Sequence, residues 1–111
     1  MRILICEDSV LLREGLVRLL EHNGHEVIAA LPDTTDVIDT ALAQSPDLCI
    51  LDVRLPPTFT DEGIRTALDL RNRRPELPLL VLSQYVEERY ASDLIAAKGG
   101  AWAAYLNAGQ V

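Results

Sequence analysis

No apolar run in this chain approaches membrane-spanning length, and Met1-Arg2 leads straight into a short strand-like run without a signal-peptide cleavage pattern. The expectation is a cytoplasmic protein that does not meet a membrane. Basic residues are also scarce: 10 Lys and Arg stand against 17 Asp and Glu, a net charge of −7. That balance argues against a nucleic-acid surface, so no direct nucleic-acid binding by this chain is expected. With 6 Gly and 6 Pro, the chain lacks the composition of a disordered protein. Two cysteines occur, Cys6 and Cys49, each inside an apolar run and without CxxC spacing. They read as small buried hydrophobes rather than as a disulfide or a metal pair. His22 and His25 bracket Asn23-Gly24 in a polar turn and read as solvated.

What is present is an ordinary globular composition. A hydrophobic content of 49% over 111 residues implies a single domain, 1–111, with one core and no linker or internal repeat. The chain is organised around Leu48-Cys49-Ile50-Leu51-Asp52-Val53-Arg54-Leu55-Pro56-Pro57. Its apolar part shows no polar alternation and reads as a strand buried on both faces, as in a parallel sheet covered by helices. Asp52 then leaves the carboxyl end of that strand, where open parallel sheets bind ligands.

The remaining elements alternate. Arg2 to Cys6 is a strand ending in Glu7-Asp8, and Ser9 can cap a helix whose stripe is Leu12, Leu16, Leu19 and Leu20, stopped by Gly24. Glu26 to Leu31 is a second strand, halted by Pro32. Asp33 or Thr34 can start a helix with Val37, Ile38, Ala41 and Leu42 inward, ending at Ser45-Pro46. After the central strand, Pro56 to Thr60 is a stiff loop, and Asp61-Glu62 open a helix from about Gly63 to Arg73. Leu79 to Leu82 is a fourth strand exiting into Ser83. A fourth helix follows from Glu87-Glu88 to Gly99-Gly100, then a short fifth strand from Trp102 to Leu106. Strict alternation with short connections implies right-handed crossovers and a flavodoxin-like, doubly wound α/β fold with a five-stranded parallel sheet.

In a sheet ordered 2-1-3-4-5, Glu7-Asp8, Asp52 and Ser83 share one crevice. Carboxylates crowded there repel one another unless a cation intervenes. All-oxygen donors without nearby Cys or His suit Mg²⁺. In this reading Asp52 is a nucleophile that forms an aspartyl-phosphate. Mg²⁺ is held by Asp8, Asp52 and the backbone carbonyl of Arg54, with Glu7 acting through water, and the Ser83 hydroxyl bonds a phosphoryl oxygen.

The pieces Ile3-Leu4-Ile5-Cys6-Glu7-Asp8, Leu51-Asp52-Val53-Arg54-Leu55-Pro56 and Leu80-Val81-Leu82-Ser83 stand in the order and spacing of bacterial two-component receiver domains. Over residues 1 to about 100 the chain resembles that family. Pro56 to Gly63 and Leu82 to Val86 further resemble receivers of LuxR-type response regulators. The resemblance implies phosphotransfer from a sensor histidine kinase to Asp52, self-catalysed rather than enzymatic turnover, and output through protein contacts. It also implies tuning or switch roles for Tyr85 and Tyr105, and for Arg54 a tuning role beside Asp52.

Two departures stand out. Receivers close the site with a lysine after the fifth strand, and here that slot holds Asn107 or Ala108, neither of which carries charge. Sequence for a fifth helix is also missing, which leaves apolar surface for another chain and leads to the expectation of a homodimer. The alternative reading is a degenerate pseudo-receiver serving as an interaction module. A Mg²⁺-dependent phosphohydrolase would need a further general acid or base that the crevice lacks.

Overall fold

A computed structural model describes residues 1–53, 55–58 and 61–82 and the backbone of 102–103. The elements in chain order are β1 (Arg2–Cys6), α1 (Val10–His22), β2 (Glu26–Leu31), α2 (Val37–Gln44), β3 (Leu48–Asp52), α3 (Glu62–Arg73), β4 (Leu79–Leu82) and β5 (Trp102–Ala103). The strands form one sheet in the order β2-β1-β3-β4-β5, and every pairing is parallel. The expected α/β architecture is therefore the observed one. Expectations for the fourth helix, the missing fifth helix and the dimer inferred from it fall outside the described residues.

Period-two alternation within the apolar strands sends side chains to both faces. Leu4, Cys6, Cys49, Leu51, Leu79 and Val81 point to one side, where Val37 and Ala41 of α2 and Ile64, Ala67 and Leu70 of α3 close a continuous core. Ile3, Ile5 and Ile50 point to the other and meet Leu16, Val17 and Leu20 of α1. The two sides are unequal. No residue of α1 is buried, and of its expected stripe only Leu16 and Leu20 pack, while Leu12 and Leu19 are 46% and 58% exposed. The stripe rotates toward Val17 because the helix sits over β1 and β2 at one edge of the face.

Ser9 caps α1 as its sequence position implies, its hydroxyl accepting from the Leu12 N–H at 3.3 Å. Gly24 follows the helix at φ 87, a left-handed conformation that suits glycine. The second helix begins later than Asp33 or Thr34. The Asp33 carboxylate accepts from the Thr35 N–H at 3.0 Å and closes a local turn, so α2 starts only after Asp36. Among the described residues no helix is long and apolar enough to cross a membrane.

Candidate functional site

Register decides what meets at the carboxyl end of the sheet. Cys6 of β1 lies opposite Leu51 of β3, so the residue after each strand pairing, Glu7 on one side and Asp52 on the other, arrives at the same level. Carboxylate oxygens of Glu7, Asp8 and Asp52 lie within 4.8 Å of one another. The three acids expected to gather do so. Arg54, Ser83, Tyr85, Tyr105, Asn107 and Ala108 lie outside the described residues.

The environment of the three is uneven. Glu7 is only 4% exposed, and its Oε2 atom is sealed from solvent without a hydrogen-bond donor. Burial, a hydrogen bond to Asp52 and the charge of Asp52 push the Glu7 carboxyl up to about 8, against a smaller opposing effect from the Ser9 N–H. Asp8 and Asp52 are partly exposed.

Such a cluster fits a hard divalent cation. Its donors are all carboxylate oxygen, one of them is buried with no partner, and the upward shift of the Glu7 carboxyl marks a place where positive charge is wanted. Neither thiol competes for that role. Burial first, then the charges of Asp33, Glu7, Asp52 and Asp8, raise the Cys6 thiol to about 12, and its Sγ donates to the Asp33 carbonyl at 3.1 Å. Burial alone raises Cys49 to about 12. Both are inert packing residues, as their place in apolar strands implies.

Two features of the site escape a reading of sequence pattern. Gly63, in the first turn of α3, donates its N–H to the Val53 carbonyl at 2.9 Å. A Cβ at this position would stand 1.6 Å from the Asp52 carbonyl oxygen and 2.9 Å from Val53 Cα. Helix α3 thus abuts the main chain of Asp52, and only glycine permits it. A glycine one residue into a helix next to an acid-bearing strand is the signal that could have flagged it. The second feature is Glu62. Expected as an acid at the helix start that favours the dipole, it is also 6% exposed and accepts from the N–H of Thr58 at 2.8 Å and from its hydroxyl. Together with the fully buried Leu55, this bond pins the loop that follows Asp52.

The chain matches the family model described as the response regulator receiver domain over residues 3–103. It is 37% identical over 93 residues to the response regulator MprA of Mycobacterium avium, covering 82% of this chain and 39% of that protein. It is 32% identical over 84 residues to the transcriptional regulatory protein PdtaR of Mycobacterium tuberculosis, covering 76% of this chain and 39% of that protein. The chain thus spans about two fifths of the length of these curated relatives. A solved LuxR-family two-component response regulator from Aurantimonas sp. SI85-9A1 superposes with a TM-score of 0.79 at 24% identity, covering 94% of this chain and 71% of that one.

Proposed function

The chain belongs to the response regulator receiver domain family, and on that premise we propose that Asp52 is the phosphoacceptor of a two-component phosphorelay. The observation that carries this reading is the convergence of Glu7, Asp8 and Asp52 within 4.8 Å around a buried carboxylate oxygen that has no donor. The donor is a phosphohistidine on a sensor kinase. An Asp52 carboxylate oxygen bonds to phosphorus while the phosphorus–nitrogen bond breaks, and the electron pair leaves with the imidazole. Asp52 attacks as a carboxylate. Asp8 and Asp52, together with the Arg54 carbonyl and with Glu7 through water, would hold Mg²⁺, which would neutralise charge on the transferring oxygens. The Ser83 hydroxyl would donate to a phosphoryl oxygen, and Tyr85 and Tyr105 would adjust lifetime and switching. Turnover is limited to formation and loss of the acylphosphate, and the acidic balance of −7 supports protein rather than nucleic-acid partners for this segment.

One observation favours a second reading, an interaction module that does not depend on phosphate: residues 101–111 contain no lysine. A charge-assisted contact to phosphate contributes about 1.5 to 3 kcal/mol, enough to uncouple phosphorylation from switching. Intact-mass spectrometry after incubation with acetyl phosphate tests the first reading. The expected result is a Mg²⁺-dependent gain of one phosphoryl group that Asp52→Asn abolishes. No gain under conditions that label an ordinary receiver overturns it and leaves the interaction module.

A further inference from the structure

We propose that Arg13 is a positioning residue for the acid cluster, holding the turn between β1 and α1 so that the Glu7 and Asp8 carboxylates converge on Asp52. The inference deepens the phosphoacceptor reading and rests on it. Arg13 Nη1 donates to the Glu7 carbonyl at 2.7 Å and, in a longer contact of 3.4 Å, to the Asp8 carbonyl. These are the main-chain groups of the two residues whose side chains enter the cluster. The turn is drawn tight from the other direction as well. The Ser9 hydroxyl accepts from the Leu12 N–H, and the Arg13 N–H donates to the Ser9 carbonyl at 2.8 Å. Arg13 therefore ties the start of the helix to the end of the strand with both its main chain and its side chain.

Its placement runs against helix electrostatics. The amino end of a helix carries partial positive charge and favours acids. Helix α1 has no acid in its first turn and carries this arginine instead. The neighbouring Val10 and Leu11 turn outward, 58% and 83% exposed, whereas Arg13 is half-buried and folds back toward the sheet. A local rule broken at a helix start marks a functional constraint. The compensating feature is the group of three carboxylates directly beyond the turn. Arginine suits the task because one guanidinium nitrogen carries two hydrogens in a fixed plane and can offer one to each carbonyl, whereas lysine is a flexible point charge.

The test is Mn²⁺ binding, read as free ion by electron paramagnetic resonance, for the unaltered protein, Arg13→Ala, Arg13→Lys and the exposed control Glu14→Ala. Loss of a residue that orients ligands raises the dissociation constant about 10- to 100-fold. That is the expected result for Arg13→Ala, with Arg13→Lys intermediate and Glu14→Ala unchanged. In the acetyl phosphate assay the half-saturating Mg²⁺ concentration rises by the same factor, while the rate at saturating Mg²⁺ recovers. A purely structural residue would instead lower the melting temperature and the saturated rate without moving the metal affinity of folded protein. That outcome, in Arg13→Ala or in the milder Arg13→Lys, overturns the inference. Absence of Mn²⁺ binding in the unaltered protein overturns the phosphoacceptor reading, and the inference with it.

Discussion

The two ends of the sheet handle charge in opposite ways. At the amino end, Arg2 Nη1 donates to the Gln44 and Ser45 carbonyls at 2.7 and 3.1 Å, where α2 exposes the negative end of its dipole. The Arg2 N–H meets Asp47 Oδ2 at 2.7 Å, and Arg74 Nη2 reaches the Leu42 carbonyl at 3.2 Å. An open groove of about 480 Å³ lies there, lined in part by Pro46, Asp47, Arg74 and Pro78. Its arginine and its Asp47 are already bonded, and its other carboxylate, Glu76, is exposed to solvent. At the carboxyl end three acids converge, one oxygen is buried without a donor, and a carboxyl keeps its proton up to about pH 8. Unresolved charge, rather than concavity, separates the proposed phosphoacceptor end of this fold from the opposite end.

The strongest way to break the proposed phosphoacceptor end is Gly63→Ala. With a Cβ 1.6 Å from the Asp52 carbonyl oxygen, either α3 or the end of β3 must move. The expected cost is about 3 kcal/mol or more, beyond ordinary overpacking, read as a lower urea midpoint together with lost labelling of Asp52. A midpoint within experimental error of the unaltered protein would show that the contact relaxes freely.

A smaller effect sharpens the electrostatic contrast. Because the Glu7 carboxyl sits at about 8 in the fold against an ordinary 4.5, the folded state keeps a proton that the unfolded chain has released. Its contribution is fully present below about pH 4.5 and is lost as pH rises through 8. Metal-free protein should therefore lose stability across that window, by at most about 1.4 kcal/mol per pH unit. Added Mg²⁺ should flatten the slope, and Glu7→Gln should remove it. Urea melts at several pH values with and without EDTA decide the matter; a metal-free slope that survives in Glu7→Gln assigns it to another group.

The smallest effect belongs to the amino end. Arg2→Ala removes exposed hydrogen bonds from a charged group to the end of α2, and the expected loss is about 0.5 to 1.5 kcal/mol. Mn²⁺ affinity should not change, since the altered residue lies at the opposite end of the sheet. A changed affinity would mean that the two ends are coupled.

Most of the architecture was legible before any coordinates. Continuous apolar runs announced β1, β3 and β4, Pro32 and Gly24 marked where elements stop, and Ser9 announced its cap. The acids Glu7, Asp8 and Asp52 were legible for the same reason: each follows directly from a strand whose order in a parallel sheet is constrained. Errors arose where a side chain had a choice of partners. Asp33 used its carboxylate on a local turn and delayed α2, and the α1 stripe rotated to suit the edge of the sheet it covers.

The alternation of strand and helix, the acid-bearing strand ends and the inert character of Cys6 and Cys49 thus follow from local pattern, because hydrophobic period and chain order bound which face and which end a residue occupies, whereas the strand order came with the resemblance to receiver domains. The steric exclusion at Gly63, the inward fold of Glu62 onto Thr58, the bond from Arg13 to the Glu7 carbonyl and the proton kept by Glu7 belong to tertiary structure. Each depends on an approach distance or a degree of desolvation that exists only once α1 and α3 have docked against the sheet.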